Sequence, residues 1–192
     1  MHETSKSAAR RYSEGAFHAR YFVGRGLDVG AGPDGLSRQL RLFPRVTEVV
    51  EWDLVDGDAQ DLVTIKDASF DFLHSSHCLE HLRNPIVALQ NWVRVVKPGG
   101  HLIVTVPDED LYERGVWPSR HGVGHNWSFT IHKKESWSPK SRNVIDLLSL
   151  LTDVVEIERV QLLRDHFDPL LPGDQTMTPH AECAIEFILR KR

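Results

Sequence analysis

The stretch Leu27-Asp28-Val29-Gly30-Ala31-Gly32-Pro33-Asp34-Gly35 constrains this chain more tightly than any other. A short apolar run feeds directly into the spacing G-x-G-x-x-G. Residues 36–43 then read as a helix that Pro44 stops. Gly30 and Gly32 let backbone approach a ligand closely, and the start of a helix offers free N–H groups to an anion. The spacing alone is common. Its place between a strand and a helix gives it meaning.

The alternation continues along the first half. Residues 46–52 are rich in valine and predict a second strand, and 70–74 predict a third. A helix is expected over 78–96, or over 85–96 with Pro85 in its first turn. Residues 97–100 make a Lys-Pro-Gly-Gly turn, and 101–106 form a strand closed by Pro107. Strands alternating with helices predict a mostly parallel sheet covered on both faces, a Rossmann-like doubly wound α/β fold. Residues 1–11 carry no apolar pattern and are expected to fray, with a short helix over 16–22. After residue 107 the rhythm breaks. Residues 108–139 hold Trp117, Trp127, Trp137, His121, His125 and His132. They read as a substrate-side insert within one domain spanning 1–192. A helix over 143–151, strands over 154–163 and 181–189, and a polar stretch over 166–180 complete the chain.

Two ligands suit the glycine turn: a dinucleotide pyrophosphate, or the carboxylate of a nucleoside amino acid. Asp28 discriminates. An acid two residues before Gly30 repels a pyrophosphate and attracts the α-ammonium of S-adenosylmethionine. Its alternative is a capping or turn acid. The second predicted strand ends Glu51-Trp52-Asp53. An acid there can take both ribose hydroxyls. Asp53, at the strand's end, is preferred, with Glu51, on the same side, second.

Four segments in order now resemble the class I S-adenosylmethionine-dependent methyltransferases, especially the type 11-like subgroup with a Leu-Glu-His motif. They are Leu27 to Gly32, the Gly57-Asp58-Ala59 segment, Ser69 through the Leu79-Glu80-His81 exit of the third strand, and Val93 to Leu102. The match covers about residues 25–107. The resemblance implies a seven-stranded sheet whose last two strands form an antiparallel pair. It implies S-adenosyl-L-methionine as cofactor, held by Asp28, Gly30, Ala31, Gly32, Asp53 or Glu51, Asp58 and Ala59, with Ser76 and His77 near the methyl end. In it, Asp58 approaches the adenine amino group and the Ala59 N–H a ring nitrogen. One departure stands out. The family places a helix between the second strand and the Gly-Asp-Ala segment, and residues 53–58 leave no room for one. The adenine wall is therefore open or built by other segments.

Methyl transfer requires in-line alignment and often removal of a proton from the acceptor. His is the natural base near neutral pH, and His81, His125 and His77 are the candidates. His77-Cys78-Leu79-Glu80-His81 also spells the inverted zinc-peptidase motif H-x-x-E-H. Asn84-Pro85 follows too closely for the long regular helix that chemistry needs, so no metal site is expected. Asp108 with His125 could assist through a metal, but no spacing compels it.

Lys and Arg number 23 against 27 Asp and Glu, a formal charge of −4. That balance argues against nonspecific binding to nucleic acid or anionic membrane. The basic segment 129–134 reads as a solvated face. Cys78 and Cys183 are too few for a disulfide framework. No signal-like run and no apolar stretch of ~20 residues is present, so a cytoplasmic location is expected. The expected function is O-methylation of a small molecule or glycan. The alternatives are a noncatalytic binding subunit with the same fold, or a nicotinamide-dependent oxidoreductase.

Overall fold

A computed structural model of the chain describes residues 3–192; the first two residues of the segment expected to fray lie outside them. Helices α1 (Glu3–Ser13) and α2 (Phe17–Tyr21) lead into β1 (Gly24–Val29). A 3-10 turn over Leu36–Leu42 stands where a longer α-helix was expected. Then come β2 (Val46–Trp52), β3 (Phe70–Ser76), α3 (Pro85–Val95) and β4 (Val96–Pro107). The second half holds β5 (Ser128–Thr130), β6 (Ser141–Asn143), α4 (Val144–Ser149), β7 (Val155–Leu163) and β8 (Ala184–Lys191).

The main sheet has the order β2-β1-β3-β4-β8-β7. The first four strands are mutually parallel, and β8 runs antiparallel to both β4 and β7. This is the expected Rossmann-like sheet with an antiparallel closing pair, but it has six strands rather than seven. The segment between β2 and β3 is short and studded with Asp53, Asp56, Asp58, Asp61 and Asp67, and it forms turns instead of an edge strand. Parallel β3 follows β1 on the side opposite β2, so the chain reverses its direction of winding between β1 and β3. Ligands bind at the carboxyl edge of such a switch point.

Side chains alternate across the sheet. Leu27, Val29, Leu73, Leu102, Val104, Phe187 and Leu189 face Leu89, Trp92 and Leu148 in one fully buried core. On the other face Phe72, Ile103 and Ile188 pack with Ala8, Phe17, Phe22 and Phe43. Gly26 is forced by this second layer: a Cβ there would sit 2.1 Å from Cζ of Phe72. Gly26→Ala is expected to cost about 1–3 kcal/mol through overpacking, read from the urea midpoint. An unchanged midpoint would show that Phe72 gives way freely.

Residues 3–13 are not frayed. Thr4, Ser7, Ala8 and Arg11 are buried at helical spacing, so α1 lays a polar stripe on the sheet. Beneath it runs a row of buried polar groups. The Nδ1–H of His74 donates to Asp28 Oδ1 at 2.6 Å, and its Nε2 faces Arg11 Nη1 at 3.1 Å. Arg11 donates to Glu186 from Nε and Nη2 (2.9 and 2.6 Å) and to Thr105 Oγ1. Asp28, His74, Thr105 and Glu186 come from four adjacent strands, β1, β3, β4 and β8. No helix among the described residues is long and apolar enough to cross a membrane.

Candidate active site

The crevice predicted by the topology is present. The turn after β1 is closed by the Gly30 N–H donating to Trp52 C=O at 2.8 Å. Gly30 and Gly32 both have positive φ, 75° and 53°, which glycine adopts without strain. Gly30 also lies so close to Cys78 that a Cβ would meet that residue's Cβ at 2.6 Å, whereas the space above Gly32 is open. Two adjoining cavities share Gly30 and His77. The larger, about 700 Å³, is lined by Asp53, Leu54, Gly57, Asp58, Ala59, Cys78, His81, Leu82 and Val123. The smaller, about 150 Å³, is lined by Ala31, Gly32, Asp34, Ser76 and the head of α1 at Glu3 and Thr4.

Most predicted cofactor residues converge here. Asp53 ends β2 as expected, and its Oδ2 accepts the Gly32 N–H at 3.1 Å. Glu51 is exposed but lines neither cavity; it faces Ser37 and Gly35 instead. Asp28 is corrected. It is 1 % exposed and opens on neither cavity. One carboxylate oxygen takes the Leu36 N–H at 2.6 Å and the other takes His74. Asp28 thus fixes the exit of the glycine turn and does not present a free charge to a ligand.

The wall left without a helix is built from residues 54–62. Trp52 Nε1 donates to Gly57 C=O at 3.1 Å, and Trp92 Nε1 to Ala59 C=O at 2.8 Å. Asp58 accepts the Gln60 N–H and is bridged by Arg83, which also holds Asp61. The Gln60 N–H bond, then Arg83, keeps the Asp58 pKa below its ordinary range despite partial burial. Leu54 and Val123 are 93 % and 94 % exposed at the mouth, an apolar rim suited to a flat heterocycle.

The insert closes the other side. Asp108 caps the turn Glu109–Glu113 by accepting the Asp110 and Leu111 N–H groups, so it is spent on structure and does not meet His125. The Asn126 and Trp127 N–H groups both donate to Glu80 C=O, Asn126 Nδ2 to His81 C=O, and Trp127 Nε1 to Leu82 C=O. These bonds dock the insert on the Leu79–His81 turn and bring His125 over it. His77, His81 and His125, read from the sequence only as separate candidate bases, therefore lie close together. His77 and His81 sit on a tight turn, with φ +54° at His77, and not on one helical face; the zinc-peptidase geometry is absent.

Sequence reasoning missed the acids of this cluster. Glu80 is fully buried, and neither of its oxygens has a hydrogen-bond partner among the described residues. Burial pushes its pKa up to about 7, against the pull of His125. Glu113, buried too, accepts the Nδ1–H of His125 at 2.7 Å. Burial opposes the imidazolium of His125, yet Glu113 and Glu80 outweigh it and raise its pKa. Burial, then His125, lowers the pKa of His77 to about 3, so that ring is neutral; both its nitrogens are buried without a hydrogen-bond partner among the described residues. Tyr112 stacks on His125 at 5.5 Å between centroids. A buried Glu beside two His in H-x-x-E-H was the only sequence signal for this set.

A larger groove, about 910 Å³, lies between the starts of α3 and α4. It carries none of the glycine turn. Its Arg83 and Lys133 are already paired with acids, and Arg142 lies over Trp127.

A parallel sheet with a glycine turn at its switch point, a strand-end acid and a histidine-lined floor defines a Rossmann-like protein that holds a nucleoside ligand. A methyltransferase-domain family model matches residues 6–146, and the chain belongs to that family: it is a class I methyltransferase whose methyl donor is S-adenosylmethionine. The match does not single out the Leu-Glu-His subgroup. No curated protein sequence matches the chain. Its fold is similar to a solved S-adenosylmethionine-dependent methyltransferase of Archaeoglobus fulgidus (17 % identity, TM-score 0.61, covering 100 % of this chain and 95 % of that one). It is similar to one from Mesorhizobium loti (16 %, TM-score 0.58, 97 % of each). A Listeria monocytogenes protein assigned to the same activity superposes with TM-score 0.62 at 14 % identity, over 98 % of this chain and 99 % of that one.

Proposed function

We propose that this enzyme methylates an oxygen of a small-molecule or sugar acceptor bound between the glycine turn and the 108–139 insert of a single domain. The observation that carries the reading is the set of imidazoles at the junction of the two cavities. His77 lines both, and His81 lines the larger. The cofactor supplies an activated methyl group. The chain's own task is to hold an acceptor hydroxyl in line with it, exclude water and receive the proton. His81, exposed in the larger cavity, is the ring placed to receive that proton, and His77, held neutral by burial, would hydrogen-bond the acceptor rather than take its proton. An amine acceptor would need no such base beyond loss of its own proton.

The residues fit the cofactor. Gly30, Ala31 and Gly32 would cradle the amino-acid end. Asp53 would take the ribose hydroxyls, Asp58 and Ala59 would border the adenine, and Ser76 and His77 would lie near the methyl. Buried Ser76 Oγ and the His77 nitrogens lack hydrogen-bond partners among the described residues, which supports a ligand there. Asp53→Ala is expected to weaken S-adenosylmethionine binding about 10–100-fold by calorimetry, the loss of charge-assisted hydrogen bonds to two hydroxyls. Unchanged affinity would move the ribose elsewhere.

The acceptor is tested by incubating the enzyme with labelled S-adenosylmethionine and hydroxylated small molecules, free sugars, amines and RNA, then locating the methyl by NMR. Label on an oxygen of a small molecule or sugar supports the reading. Label on nitrogen or on RNA overturns it. Binding of the cofactor with no transfer to any hydroxylated acceptor would favour a binding subunit.

A further inference from the structure

We propose that Glu80, His81 and His125 form a site for one borderline divalent metal ion of the zinc class, placed beside the methyl-transfer cavity. Their ligand atoms, one from each side chain, all lie within 4.8 Å of one another. Glu80 Oε1 is 4.0 Å from His81 Nε2 and 3.9 Å from His125 Nε2. Ligands of a tetrahedral ion bound at about 2.0–2.2 Å stand a little over 3 Å apart, so small side-chain rotations close the set.

The orientation of each ligand supports this. His125 gives its Nδ1–H to Glu113, and His81 gives its Nδ1–H to the Gly124 carbonyl at 3.2 Å. In both rings that leaves Nε2 as the unprotonated nitrogen, within 4.0 Å of Glu80 Oε1. A carboxylate or carbonyl behind each imidazole is the arrangement that fixes tautomer and angle in metal-bound histidines. Glu80 supplies the strongest reason. Its carboxylate is fully buried and neither oxygen has a hydrogen-bond partner among the described residues. Buried carboxylates are paired or coordinate metals. Two imidazoles and one carboxylate suit zinc and its neighbours rather than magnesium or calcium, which prefer all-oxygen sets.

Three protein ligands leave a position for solvent or substrate, as catalytic zinc sites do. His81 also lines the larger cavity, so that position is within reach of an acceptor. Given the proposed O-methylation, on which this role alone rests, the ion would polarise the acceptor oxygen and ease loss of its proton. The competing arrangement is metal-free, with His125 as an imidazolium between Glu80 and Glu113.

The test uses the full chain, stripped with chelator and titrated with Co2+, read by visible absorbance. Zn2+ then competes, and S-adenosylmethionine binding is measured calorimetrically on the same sample. One equivalent of Co2+ with a tetrahedral-type spectrum and displacement by Zn2+ is expected. Glu80→Gln, which keeps the side-chain shape, should weaken Co2+ binding at least 100-fold, and Glu113→Gln, a positioning change, about 10–100-fold. No Co2+ or Zn2+ uptake by a sample that still binds S-adenosylmethionine overturns the site and favours the imidazolium. Undiminished Co2+ binding by Glu80→Gln overturns it as well. Metal uptake together with methyl transfer to nitrogen would leave the site standing and sink the O-methylation reading.

Discussion

Arg11→Met is expected to lower the melting temperature by roughly 10 °C, the product of about 3–5 kcal/mol for breaking a buried ion pair and about 2–4 °C per kcal/mol at this chain length. Arg11 and Glu186 are both completely buried. Methionine fills much of the volume but leaves the Glu186 carboxylate with Arg10 as its one cationic partner among the described residues. The double variant Arg11→Met, Glu186→Gln should regain a good part of the loss, because the stranded charge is gone. The pH dependence carries the same signature. Burial works to raise the Glu186 pKa, but Arg11 and Arg10 outweigh it and hold it at about 2, against an ordinary 4.5. A depressed carboxyl pKa stabilises the fold fully above the unfolded value and loses that contribution as pH falls from about 4.5 through 2. In Arg11→Met the contribution shrinks, so the variant and the parent should converge in stability towards acid. A constant gap between them from pH 7 to 3 would show that packing, not charge, makes Arg11 matter.

Gly32→Leu is expected to abolish S-adenosylmethionine binding, with a loss above 100-fold by calorimetry, while the chain stays folded. The backbone at Gly32 has φ +53°, and no atom lies within 4 Å of a Cβ placed there. A left-handed leucine costs about 1–2 kcal/mol, a drop of a few degrees. The side chain would enter the small cavity between the glycine turn and α1 that the amino-acid end of the cofactor would use. Unchanged affinity would remove the glycine turn from the site and with it the cradle role of Gly30 and Ala31. Paired with Arg11→Met, the variant separates two kinds of damage, one to the fold and one to the site.

What the sequence revealed follows from how far apart the interacting residues are. The glycine turn, the strands around it and Asp53 are local patterns, and each was legible. Helix α1 was not, because its buried stripe of Thr4, Ser7, Ala8 and Arg11 is mostly polar and carries no hydrophobic period. Asp28 was read as a free acid because its partner His74 lies 46 residues away, across a strand pair that only the sheet register reveals. The seventh strand came from family resemblance; the sequence itself showed only that residues 53–58 leave no room for the family's helix. The same holds for the floor of the site. His77, His81 and His125 were found as isolated bases, but Glu80 and Glu113 gained meaning only once the insert had docked and turned His125 towards them.

The way that insert is fastened separates two properties that usually constrain each other. Asn126 and Trp127 grip three successive main-chain carbonyls, those of Glu80, His81 and Leu82, and none of those residues' side chains. Any amino acid compatible with the turn offers the same carbonyls. Exchanging the side chains at 80 and 81 would cost the His81–Gly124 bond and the Glu80–His125 approach but leave this main-chain grip in place. A designer can vary the groups at these positions under a roof that is fastened chiefly by main chain.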